Sequence, residues 1–188
     1  CLEERDDYVV IGSGRKDDSE VGHIWSWLSA ATNWVRKKKI PAKGVNAILD
    51  NELTLMQAGD DGELFYSDFI NMLPLHVLPS GDGKVNPGGV TMHDGVSLFG
   101  FFSTTDDVGL WSYGRKYKNR PQVLNYEYRL AQTVAGTTVT EIGALTKAGS
   151  DLLASWNSGE NYGVDQLSST TRAASLFEGL EFDGGRPE

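Results

Sequence analysis

The sequence predicts an all-β fold, a β-propeller segment of about four blades of four antiparallel strands. Three observations carry this expectation. Short apolar runs end in turns rich in Gly, Asp and Asn, the punctuation of strands. Each such turn is followed by a second strand that starts with aromatic residues. The turn-plus-aromatic pair then recurs, with aromatic strands starting at residues 24, 64, 110 and 162, spaced 40, 46 and 52 residues apart. A period of about 40 to 50 residues is the size of a four-stranded propeller blade.

Residues 1–7 read as a linker or a strand from a preceding blade. Tyr8-Val9-Val10-Ile11 runs into Gly12-Ser13-Gly14 and is answered by Ile24-Trp25-Ser26-Trp27. The stretch Trp25 to Lys39 has Leu28, Ala31 and Val35 at helical spacing, but no cap, and its Trp and β-branched residues suit a strand equally. Leu53-Thr54-Leu55-Met56 enters Gly59-Asp60-Asp61-Gly62 and continues as Leu64-Phe65-Tyr66-Ser67, with further strands at Leu75–Leu78 and Gly89–Met92. Val96–Phe102 enters Thr105-Asp106-Asp107 and continues as Leu110-Trp111-Ser112-Tyr113, with further strands at Gln122–Leu130 and Val139–Leu145. Leu152–Trp156 enters Asn157-Ser158-Gly159 and continues as Tyr162-Gly163-Val164-Asp165. The expected blades are 8–50, 51–93, 94–149 and 150–183, and 184–188 begins a following linker. The nearly continuous apolar strand opening each unit is expected to be the innermost, packed on both sides. A β-sandwich is the competing architecture. Both chain ends read as cut from something longer, so the units either close as a ring of four or belong to a larger ring.

The chain has 188 residues, 39% of them hydrophobic, with 22 glycines and a formal charge of −9. Such acidity repels phosphate backbones, so no nucleic-acid partner is expected. A single cysteine excludes an intrachain disulfide and a Cys-based zinc cluster. No apolar run approaches the ~18 residues of a membrane span.

No catalytic constellation emerges. His23, His76 and His93 lack metal-ligand spacing, so neither metal nor other cofactor is expected. The carboxylates, among them Asp60, Asp61, Asp106, Asp107 and Asp165, sit in Gly, Asn and Ser company, where Asp shapes turns. Asp82-Gly83-Lys84-Val85-Asn86 has the start of a calcium loop but carries a lysine and no bidentate Glu. Gly12-Ser13-Gly14 is neither a nucleophile elbow nor a phosphate loop. Two basic clusters remain, Arg36-Lys37-Lys38-Lys39 beside Trp34, and Arg115-Lys116-Tyr117-Lys118-Asn119-Arg120. Their primary reading is edge protection by charged side chains. The residues in them that would contact a ligand or partner are Trp34, Lys37, Lys38, Arg115, Lys116 and Arg120. Trp25, Trp27, Trp34, Trp111, Tyr113 and Trp156 read as core packing, with sugar stacking as the alternative.

Two family resemblances follow. Thr105-Asp106-Asp107-Val108-Gly109-Leu110-Trp111 and Ala58-Gly59-Asp60-Asp61-Gly62-Glu63-Leu64-Phe65 resemble the Asp-box turns of sialidase-like propellers. The first is one residue short and the second lacks the hydroxyl. The closer resemblance, over the second half of the chain, is to propeller-bearing structural proteins of tailed bacteriophages. It is carried by Gly109-Leu110-Trp111-Ser112-Tyr113-Gly114-Arg115-Lys116-Tyr117-Lys118-Asn119-Arg120-Pro121, by Leu124-Asn125-Tyr126-Glu127-Tyr128, and by the stretch Phe177–Pro187. That resemblance implies a non-enzymatic virion protein, a phage tail or fibre component. It would form a homo-oligomer in a particle with other virion proteins and meet host-surface glycans through loops such as 14–22, 79–88, 103–108 and 157–161. A sialidase-like or other propeller glycoside hydrolase or lectin acting on glycans is the alternative.

Overall fold

Period-two patterning and glycine turns give strands along the whole described chain. The computed structural model describes residues 1–5, 8–13, 21–28, 30–49, 54–78, 82–103, 109–115, 117–128, 141–159 and 161–167, and contains no helix among them. The first sheet joins β1 (Leu2–Arg5), β2 (Tyr8–Gly12), β3 (Gly22–Leu28) and β4 (Arg36–Ile40). The second joins β5 (Val45–Leu49), β6 (Thr54–Ala58), β7 (Glu63–Ser67) and β8 (Met72–Val77). The third joins β9 (Lys84–His93), β10 (Val96–Phe102), β11 (Gly109–Gly114) and β12 (Val123–Tyr128), and the fourth joins β13 (Glu141–Ala148), β14 (Asp151–Ser158) and β15 (Asn161–Leu167). Every strand ladder is antiparallel between sequence neighbours, and an isolated parallel bridge joins Asp61 to Gly83. The stretch with helical spacing is therefore two strands, β3 and β4, joined by a loop in which the Trp27 Nε1–H donates to Ala31 O at 3.0 Å.

Strand pairing divides the chain one strand earlier than the expected units 8–50, 51–93, 94–149 and 150–183. Leu2–Arg5 pairs with β2, so part of segment 1–7 is a strand of the first sheet. Val45–Leu49 pairs with β6, Lys84–His93 with β10 and Glu141–Ala148 with β14. The reason is physical. The connection from β4 to β5 is as short as a hairpin loop, but it turns the chain into the next sheet instead of back along the same one. The strands expected to be innermost, β6 and β10, are the second strands of their sheets. They are buried almost throughout because an interior strand has a neighbour on each side and is covered on both faces.

The sheets stack in chain order, and each stacking interface has its own core. The back of the first sheet (Val10, Ile24, Ile40) packs on the front of the second (Ile48, Met56, Phe65). The back of the second (Ala47, Leu49, Leu55, Leu64) packs on the front of the third (Phe99, Phe101, Trp111, Tyr113). The back of the third (Leu98, Leu110) packs on the front of the fourth (Ile142, Leu152, Ala154, Trp156). First strands adjoin first strands: β1 meets β5, β5 meets β9, and β9 meets β13.

Polar ties seal this inner seam. The Gln57 side chain, fully buried, accepts the Val85 N–H through Oε1 at 3.0 Å and donates through Nε2 to the carbonyls of Ala58 and Gly59. Asn86 donates through Nδ2 to Glu141 Oε1 at 3.0 Å and Ile142 O at 2.7 Å. Each tie satisfies groups that would be costly to bury alone. Gly83 shows why the connection into β9 requires glycine. Its φ is 105°, and a Cβ would lie 2.4 Å from Phe102 O. Its N–H donates to Asp60 O, and its carbonyl accepts the Gly62 N–H.

With four antiparallel strands each, the first three sheets begin and end at the same rim. That rim carries the connections 41–44 and 78–83 and the hairpins after β2, β6, β10 and β14. The opposite rim carries the hairpins after the first and third strands. Among these is the two-residue Asp94-Gly95 turn, whose φ values of 50° and 79° are both positive, as a type I′ hairpin requires.

Candidate functional site

In each of the first three sheets the third strand leads through a hairpin to an outer edge strand, and at the rim away from the connections one basic cluster begins β4 just after its hairpin and the other lies in the hairpin between β11 and β12. The one between β3 and β4 holds Trp34, 51% exposed, and Val35, 47% exposed, followed by exposed Arg36. The one between β11 and β12 holds exposed Arg115, Lys118 and Arg120, with Tyr117 72% exposed. It is closed by the Arg120 N–H donating to Tyr117 O at 3.0 Å. Lys116 lies outside the described residues. Between the two stands the β7–β8 hairpin of the second sheet. Its Asp68 carboxylate accepts the N–H groups of Ile70 and Asn71. Those bonds hold its carboxyl below the usual carboxylate range.

The ladder register separates side chains that are adjacent in sequence. Lys37 is opposite Trp25 and Lys38 is opposite Ile24, so they point to opposite faces. Lys37 Nζ sits 5.5 Å from the centre of the Trp25 ring, a cation–π contact. Lys38 Nζ donates to Ile70 O and ties the first hairpin to the second. His23 stacks on Trp25 at 5.6 Å. Burial, then the charges of Lys37 and Lys39, hold His23 below the usual imidazole range. Trp34, Arg36, Arg115 and Arg120 thus face solvent, whereas Lys37 and Lys38 are engaged within the protein. Tyr117 was not singled out from sequence as a contact residue. Its place between two basic residues in a turn was the available signal.

The loops 14–22, 79–88, 103–108 and 157–161 belong to the other rim, and residues 14–20, 79–81, 104–108 and 160 of them lie outside the described residues. The histidines are distributed over three sheets. His76 meets the edge of Tyr113 at 6.0 Å, and His93 Nε2 lies 3.5 Å from the Asp94 carboxylate. Ser112 donates to Glu127, two strands away from His93, so serine and histidine form no nucleophile–base pair there. Among the described residues no three of His, Cys, Asp or Glu converge as a metal site, and no helix is long and apolar enough to cross a membrane. The surface at the outer hairpins presents exposed aromatic rings beside cations. No protein-family model, curated protein or solved structure matches the chain.

Proposed function

We propose that this chain is a propeller segment of a tailed-phage virion protein, non-enzymatic tail or fibre architecture whose outer hairpins bind acidic glycans on the host surface. The observation that carries the reading is the placement of exposed Trp34 and Tyr117, with Arg36, Arg115, Lys118 and Arg120, on one rim of the stacked sheets. An aromatic ring packs on the CH face of a sugar, and a guanidinium grips carboxylate or phosphate with two parallel hydrogen bonds. Grouping cations in a chain of net −9 makes a local attractive field for an acidic polymer. Stacked sheets that supply their own polar ties suit a scaffold role.

Two measurements test this. In particles purified from the native source on a density gradient, peptides of this chain should sediment with assemblies far heavier than 20.5 kDa. A free species of that mass would turn the reading toward a lectin or hydrolase acting alone. The purified chain should also bind a uronate-containing polysaccharide and not its carboxyl-reduced form. Binding should weaken roughly tenfold or more with Trp34→Ala or Arg120→Glu, on the scale of interface hot spots. Equal affinity for the charged and reduced polymers would sink the glycan proposal.

A further inference from the structure

The first and last sheets each leave one face open. On the first sheet the open front carries Leu2, Val9, Ile11, Trp25 and Trp27, with Leu2 66% exposed and the others half-buried. On the fourth, the open back carries Leu153, Ser155, Tyr162 and Val164, with Tyr162 75% and Val164 65% exposed. These faces are the two sides of the interface that the chain builds repeatedly. Trp25, Phe65 and Trp111 are equivalent front residues on third strands, and the latter two are sealed beneath the preceding sheet. Ile24, Leu64, Leu110 and Tyr162 are equivalent back residues, and the first three are sealed beneath the following sheet.

We propose that the front of the first sheet and the back of the fourth meet between two copies of this chain, head to tail. Continuity with the internal interfaces supports a second copy as the occupant. On the front, Trp25 and Ile11 stand at the register positions of Phe65 and Met56 and of Trp111 and Phe99; on the back, Tyr162 takes the place of Ile24, Leu64 and Leu110, and Ser155 beside Val164 that of Val10, Leu55 and Leu98. Charge agrees in balance, since the front carries Lys37 and Lys39 against one carboxylate, Glu4, and the back carries Asp151. The contact is heterologous, joining different surfaces of the two copies, so two copies close a ring if the rotation per sheet allows and otherwise lengthen into a row. The inference rests on the stacking of sheets and is independent of what the outer hairpins bind.

Analytical ultracentrifugation of the chain across a concentration series tests it, with far-UV circular dichroism and thermal unfolding confirming that each variant is folded. The wild-type chain should associate to twice 20.5 kDa or beyond. Tyr162→Glu, on the open back, should be monomeric, and so should Leu2→Glu or Trp25→Glu on the open front. Mixing a back variant with a front variant should restore a heterodimer, because each retains one intact half of the interface. Three outcomes overturn the proposal. A wild-type chain that stays monomeric means something other than a second copy covers these faces. Association of Tyr162→Glu alone means that the fronts pair with each other. A mixture that stays monomeric means that the two faces do not recognise one another.

Discussion

The middle two sheets bury both faces and the end two bury one, although all four are built on the same strand plan. Ile24, Leu64 and Leu110 are fully buried on their third strands, while Tyr162, in the equivalent place, is 75% exposed. Phe65 and Trp111 are sealed, while Trp25 is only half-covered and stacks with His23 under Lys37. The fourth sheet differs again. It has Gly163 at the aromatic position, and the Trp156 ring lies where a Cβ on Gly163 would go, within 2.3 Å. Position in the strand sets which way a side chain points, and a neighbouring sheet decides whether pointing that way buries it.

The widest test of this contrast is a pair of truncations. Trp111→Ala should cost about 3–5 kcal/mol, the range for removing a buried aromatic. Trp25→Ala, measured in the monomer at high dilution, should cost about 1 kcal/mol, the span of strand propensity on an open face. Urea unfolding midpoints measure both, and equal losses would mean that the front of the first sheet is as well packed as the middle of the stack. Next in size is Gln57→Ala at the inner seam. It strands the Val85 N–H, while the Gly59 carbonyl keeps the Asn46 amide as donor, and should lower stability by about 1–3 kcal/mol. A loss below that range would show that the second and third sheets are held by apolar packing alone.

Two smaller effects concern pH at the outer edge. The folded-state carboxyl of Asp68 is lowered by the Asn71 and Ile70 N–H groups. Its contribution to stability is therefore present above the unfolded carboxylate value and is lost as pH falls through the folded one. The stability gap between the wild-type chain and Asp68→Asn should narrow over that acidic window, and a gap independent of pH would exclude the carboxylate as its source. At His23 the imidazole is also held low, by burial first and then by Lys37 and Lys39. Its neutral form is favoured by folding, so that contribution is full above the unfolded imidazole range and falls away as pH drops below it toward the lowered folded value. Lys37→Ala should shift the His23 titration upward in NMR spectra, but only part of the way back, because burial is the larger cause. A full return would reverse that order.

Some of this architecture is readable from residues alone. Gly59 to Gly62 and Asp94-Gly95 are turns because they combine small or turn-forming residues with positive φ at Gly59, Gly62, Asp94 and Gly95, and that chemistry is local. The unit boundaries were misplaced by one strand because Pro41 to Gly44 and a true hairpin loop look alike in sequence. Only pairing tells whether the next strand joins the same sheet or starts another. The basic cluster was visible as composition, but its division into solvent-facing Arg36, ring-bound Lys37 and backbone-bound Lys38 follows from register. Register is fixed by partners distant in the chain.

The sequence by itself determined that the described chain is built of strands without helix, that its hairpins repeat, and that aromatic residues recur in the third strand of each sheet. These features depend on turn chemistry and on the alternation of side chains along one strand, both readable over a few residues. Tertiary structure alone decided which strands share a sheet, which of Trp25, Phe65 and Trp111 is left half-open, and that Trp34 and Tyr117 share a rim. Each of those outcomes is set by which sheet packs against which, and that packing depends on the burial of surfaces contributed by residues far apart in the chain.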